Sequence, residues 1–244
     1  MDHIQYGNRE IVFKIKRSNR RKTVGIHIDP EKGVIVHSPQ FLRVDEISEI
    51  VRKRAQWIIE KRKFVRNQSQ LNSVKEFVSG ETFPYLGRKY RLKVKKSASG
   101  KEECCSLING RLLVQIEREL DGKGVKEIVR KALIKWYLEH AHEKIPQRVK
   151  LYARQMGAWP ERVEIKSYKR QWGSCSHNGV IRFNWKIITA PVTILDYVIV
   201  HELCHLIYPN HSAQFWEKLQ TIIPNYKNRR NKLKEHSLQI GIFG

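Results

Sequence analysis

Residues 201–205 read His-Glu-Leu-Cys-His, and their chemistry works only if the segment is a helix. Side chains four apart on a helix point the same way, so His201 and His205 can then grip one ion. Neutral imidazole suits Zn²⁺, which takes three protein ligands at a catalytic site and leaves the fourth position for water. Glu202 lies one residue round the helix, where its carboxylate reaches that water without becoming a ligand. At such a metal the water's pKa falls to about 7, which makes it a nucleophile at neutral pH. His211 follows close behind and is the candidate third ligand. The pattern implies a hydrolase with His201, His205 and His211 on Zn²⁺ and Glu202 as general base.

The surrounding sequence supports a helix. Pro191 suits a first helical turn, and Leu195, Val198, Ile199 and Leu206 recur at helical spacing. Pro209 and Asn210 stop the helix and free the chain to bring His211 back. The His205-to-His211 spacing matches the metzincin pattern, but Tyr208 replaces its glycine and both methionines, Met1 and Met156, lie upstream of any Met-turn. A gluzincin would take its third ligand from a later glutamate, Glu217 or Glu235, and this alternative to His211 stays open. Asn210 is a candidate hydrogen-bond partner for a ligand ring, and Ser212 a candidate helix cap. Phe215 and Trp216 are expected to anchor the next helix and hold His211 in place. The bland alternative is an amphipathic helix with hydrogen-bonded histidines.

Several further runs add a family resemblance. Gln171-Trp172-Gly173-Ser174-Cys175-Ser176, Asn184-Trp185, the stretch from Tyr197 to His205, Asn210-His211-Ser212 and Phe215-Trp216 resemble the YgjP-like metallopeptidases, relatives of the SprT-like and WLM proteases. Arg17 to Arg21, Ala55-Gln56-Trp57-Ile58 and Tyr85 to Tyr90 resemble that family's amino-terminal half. The resemblance implies His201, His205 and His211 as ligands and Glu202 as base. Gln171 stands where the family often has arginine, with Arg170 adjacent. No cysteine-rich zinc ribbon like that of some SprT-like relatives follows residue 211.

Composition bounds the partners. The chain of 244 residues carries 47 Lys and Arg against 24 Asp and Glu, a net charge of +23. Such a surface attracts polyanions with salt-sensitive affinity, so non-specific nucleic-acid contact is expected, though no base-reading motif accompanies it. No apolar run is long enough to span a bilayer and no signal peptide is evident, so a cytoplasmic protein without membrane contact is expected. The four cysteines, Cys104, Cys105, Cys175 and Cys204, show neither metal-knuckle nor secreted-disulfide spacing, which fits reduced thiols. Cys175 and Cys204 are expected to pack rather than react.

Along the chain, residues 10–38 predict three strands, and a single amphipathic helix follows from Asp45 to Val65 with Ile47, Ile50, Val51, Ile58 and Phe64 near one face. Strands resume from Phe83 to Val94, and Asn109-Gly110 marks a hairpin. Asp121 to Gly124 punctuates the chain. A helix then runs, brokenly past Pro146, to about Gln155. A strand at Arg162 to Ser167, a loop at Gln171 to Ser176 and a return through Val180 to Ile187 precede the histidine helix. No internal repeat is expected. The fold class is therefore α+β: a β-rich domain with one long helix over 1–122, then a minimal zincin-like domain over 123–244 with helices, a small antiparallel sheet and the HExxH helix. In that arrangement an edge strand above the metal receives an extended peptide. Ile181, Arg182, Phe183 and Asn184 are the candidates for that edge, while Trp172 and Trp185 are expected in the core.

The leading expectation is a zinc metallopeptidase acting on protein or peptide, with oligomeric state and oxyanion donor unassigned. One alternative is a metal-dependent nucleoside triphosphate pyrophosphohydrolase, favoured by positive charge but lacking a Gly-rich phosphate loop. A second is a non-catalytic nucleic-acid-associated module with a structural metal, disfavoured because no fourth ligand lies near.

Overall fold

The computed structural model describes residues 2–29, 32–71, 75–97, 104–117, 122–168 and 171–236. Asp121 and Arg170 lie outside the described residues, as does the side chain of Phe64. Two compact units emerge, Met1–Ser73 and Val74–Gly244.

In the first unit, β1 (Asp2–Tyr6), β2 (Arg9–Ser18), β3 (Gly25–Asp29) and β4 (Gly33–Pro39) form a sheet ordered β1-β2-β4-β3. The β2–β4 pair is parallel and the others are antiparallel. Ile11 and Phe13 of β2 are buried while Val12 and Lys14 are exposed, the alternation of a sheet covered on one face. Strand β1 was not among the three expected. Its Asp-His-Ile-Gln-Tyr offers one buried apolar side chain, Ile4, too little to show a period. The helix expected from 45 to 65 is two helices, α1 (Val44–Lys53) and α2 (Ala55–Leu71), broken at Arg54. Ile47, Val51, Ala55 and Ile58 nevertheless share one buried face across the break.

The second unit begins with β5 (Thr82–Tyr85), β6 (Arg88–Ser97), β7 (Cys104–Ile108) and β8 (Arg111–Glu117), ordered β5-β6-β8-β7, and α3 (Gly122–Met156) follows. This is the topology of the first unit again, strand for strand. The parallel pair is again the second and fourth strands. Registers coincide too. Tyr6↔Arg9 corresponds to Tyr85↔Arg88, Ile4↔Ile11 to Phe83↔Tyr90, Phe13↔Val34 to Leu92↔Leu112, and Ile26↔Val36 to Cys105↔Val114. The last five residues of α1, Glu49-Ile50-Val51-Arg52-Lys53, recur near the start of α3 as Glu127-Ile128-Val129-Arg130-Lys131, with Val51 and Val129 both fully buried. The expectation of no internal repeat is corrected: the chain holds two copies of one four-strand-and-helix module.

The boundary expected near residue 122 falls inside the second unit. Helix α3 covers β7 and β8, and Phe83, Leu112 and Val114 share one core with Leu133, Trp136, Leu195 and Val198. That common core ties the second sheet to the histidine helix. Helix α3 also runs unbroken through Pro146, with Ile145 and Val149 buried on either side. Packing there outweighs the cost of an internal proline, about 3 kcal/mol.

A third sheet stands before the histidine helix: β9 (Arg162–Lys166), β10 (Gly173–Cys175) and β11 (Val180–Asn184), ordered β10-β11-β9. It is mixed rather than antiparallel, since β11 runs parallel to β9 and antiparallel to β10. Part of the expected 171–176 loop is thus strand β10. Ile181, Arg182, Phe183 and Asn184 do not form an edge. Strand β11 is central, with Ile181 facing both Val163 and Cys175 and Phe183 facing both Ile165 and Gly173, so its backbone has no vacancy for a peptide. Arg182 instead binds Glu164 at 3.0 Å, and the Asn184 side chain donates to the carbonyls of Tyr168 and Gln171 at 2.9 and 3.1 Å. The strand ends at Asn184 and a 3₁₀ turn, Trp185–Thr189, leads to α4 (Val192–Ile207), α5 (Ala213–Ile222) and α6 (Tyr226–His236). Arg148 of α3 grips Asp196 of α4 with two bonds of 2.8 and 2.6 Å, fixing the rotation of α4.

Candidate active site

Helix α4 buries almost its whole first three turns, including Leu195, Val198, Ile199 and Leu203, so its register is set by the core. The same register puts His201 and His205 on one face, with ring centroids 5.0 Å apart. At its end Tyr208 leaves helical geometry, its N–H still donating to Cys204 O at 2.8 Å. The chain then reverses and α5 starts at a Ser212 cap, whose hydroxyl accepts from Phe215 N at 3.3 Å. His211, just before the cap, returns to ring distances of 4.9 Å from His201 and 4.7 Å from His205. One ligand atom from each of the three lies within 4.8 Å of the others.

Phe215 is the floor of this cluster. Fully buried, its ring lies 5.0, 4.8 and 4.7 Å from those of His201, His205 and His211. Trp216 stacks on His211 at 5.4 Å and 25°. Both aromatics therefore hold His211 directly.

The donor chemistry fits a soft-to-borderline divalent ion. Burial first, then the neighbouring His205, His211 and Arg230, pushes His201 down to about 3, so its ring is neutral at pH 7. Burial likewise lowers His205. His205 Nδ1 lies 3.2 Å from the Tyr208 carbonyl, which can only accept, so Nδ1 carries the proton and Nε2 keeps its lone pair. The partner is thus Tyr208 rather than the expected Asn210. Nε2 of His211 and of His201 face each other at 3.0 Å, with His201 Nδ1 buried and without a hydrogen-bond partner among the described residues. Three imidazoles sharing one small space, with His201 and His205 kept neutral by burial, are suited to a cation.

Glu202 is buried and forms no hydrogen bond among the described residues. Burial alone pushes its carboxyl up to about 8, inside the range for passing protons at neutral pH. Strand β10 lies against it: a Cβ on Gly173 would stand 2.7 Å from Glu202 Oε1. Glycine in a strand signals such close approach, and that is the signal that would have found this residue. Cys175, further along β10, is half-buried and raised by burial and then by Glu202, whereas Cys204 is buried in the core and pushed up to about 12, so neither thiol is a nucleophile at neutral pH. Glu217 and Glu235 do not belong to the cluster.

Among solved structures the chain is similar to two metallopeptidase zymogens. Pyrococcus abyssi abylysin is 20% identical, with a TM-score of 0.35 over 36% of this chain and 90% of that one. Methanocaldococcus jannaschii jannalysin is 24% identical, with a TM-score of 0.34 over 37% and 92%. No curated protein matches. Residues 22–236 match the YgjP-like metallopeptidase domain, and the chain belongs to that family of metal-dependent hydrolases.

Proposed function

We propose that this protein is a zinc peptidase in which His201, His205 and His211 hold the metal and Glu202 is the general base. The observation that carries it is the convergence of three imidazoles beside a buried carboxylate without a hydrogen bond among the described residues. Bound zinc would polarise the scissile carbonyl and acidify a water. Glu202 takes the proton of the attacking water and returns it to the departing amine nitrogen, leaving a carboxylate and an amine. Strand β10 replaces β11 as the edge for an extended substrate, because its outer side has no strand partner among the described residues and it passes directly beside Glu202.

Replacing Glu202 by Gln keeps shape and removes the base. Peptide turnover by the zinc-loaded protein should fall at least ~100-fold while metal content stays stoichiometric. Undiminished turnover in that variant removes Glu202 from the mechanism. Loss of His211 should lower zinc occupancy itself, measured by metal analysis after dialysis. If Glu217→Gln has that effect and His211→Ala does not, the third ligand is the glutamate.

A further inference from the structure

We propose that Arg230 docks a substrate carboxylate beside the candidate metal centre and so sets specificity, an assignment that rests on the peptidase function above. Helix α6 carries Lys227, Arg229, Arg230, Lys232 and Lys234 against one acid, Glu235. Arg229 is already committed: its Nε donates to Asn225 Oδ1 at 2.8 Å and its Nη1 to the Thr193 carbonyl at 3.2 Å. Arg230 differs. It is exposed and has neither a carboxylate nor a hydrogen-bond partner among the described residues.

Its position is nonetheless fixed. The guanidinium carbon lies 5.1 Å from the centroid of the Trp216 ring. That ring stacks on His211, lies 6.1 Å from His201, and stacks at 5.4 Å and 19° with Tyr226, one turn before Arg230 on α6. One aromatic ring therefore separates the free cation from the metal-ligand cluster. Its charge is felt at His201 and at Tyr197. A guanidinium held over an aromatic face keeps its N–H edge available, and that edge matches a carboxylate with two parallel bonds. The carboxylate could belong to an acidic side chain or to the substrate's own carboxy terminus.

The test uses zinc-loaded full-length Glu202→Gln protein, so that binding is read without turnover. Its probes are peptides differing only in Glu versus Gln near the scissile bond, or in a free versus amidated carboxy terminus. The carboxylate form of at least one pair should bind about fivefold more tightly, the size of a modest charge-assisted contact. Which pair shows the preference identifies the source. Adding Arg230→Gln should equalise that pair, Arg230→Glu should reverse it, and Lys227→Gln on the same helix should leave it intact. An unchanged preference in Arg230→Gln, or none in the parent, overturns the assignment while leaving peptide binding in place. Zinc-loaded protein that binds no peptide at all would sink the peptidase function and Arg230's role together.

Discussion

Burial shifts Glu202 and His201 in opposite directions, and the metal-free protein should show both in its stability. Between the ordinary 4.5 and about 8, folded Glu202 holds a proton that the unfolded chain has released, so stability falls as pH rises through that window. Between about 3 and the ordinary 6.5, the unfolded chain holds a proton that folded His201 lacks, so stability rises with pH there. The two effects oppose each other from 4.5 to 6.5, and above 6.5 only Glu202 acts. Urea unfolding in excess chelator should therefore show stability declining from pH 6.5 to 8, and Glu202→Gln should abolish the decline. Equal declines in both proteins would place the titrating group elsewhere. The closeness of His201 and His205 was legible in the sequence because helical spacing alone puts residues four apart on one face. The Tyr208 carbonyl was not, because a backbone group carries no side-chain signature and its role depends on how the helix ends. The guanidinium of Arg230 was equally hidden within a basic run, since only the fold brings Trp216 beneath it.

Strand β10 shows where periodicity misleads. The run from Val180 to Phe183 looks like the strand that matters because it is mostly apolar, yet it is paired with a strand on either side. The short Gly-Ser-Cys segment is polar enough to read as loop, and it is an edge strand of that sheet. At Gly173 the φ is unremarkable, so alanine is compatible with the backbone and slightly favourable through the unfolded state. The obstacle is Glu202, whose Oε1, Cγ and Cδ would all lie within 2.7–2.9 Å of the new methyl. Gly173→Ala should thus shift the carboxylate and lower kcat at least ~10-fold while zinc content holds and the melting temperature changes by only a few degrees. Wild-type kcat in that variant would separate β10 from the chemistry. The duplicated module was hidden for a related reason. Its copies share pairing register, a Tyr-to-Arg turn and the helical Glu-Ile-Val-Arg-Lys run, but Phe13 stands where the second copy has Leu92 and Ile26 where it has Cys105, so apolar identity differs while geometry is kept. In the second copy the helix also became a partner of α4 through Arg148 and Asp196, which concealed the boundary.

Two compact units with separate buried cores imply that one metal reports on only part of the chain. Ile11, Phe13, Val36 and Val51 form no part of the core that holds α4, whereas Phe215 and Leu219 of α5 belong to it. A ligand that binds only the folded form stabilises whatever must fold to make its site, by RT ln(1 + [L]/Kd), or about 4 kcal/mol at a thousandfold excess over Kd. His201 and His205 come from the last turns of α4 and His211 from the residue before the α5 cap, so the metal would join two segments otherwise linked through Phe215 and the short reversal after Tyr208. Chelation should then loosen α5 most, α4 less because most of its first three turns is buried, and β2 and β4 not at all. Hydrogen exchange with and without zinc tests this directly: faster exchange confined to residues 204–222 is the expected pattern. A uniform rise in exchange across β2, β4 and α5 would mean that the metal supports the entire chain. No change at α5 would mean that His211 does not hold it.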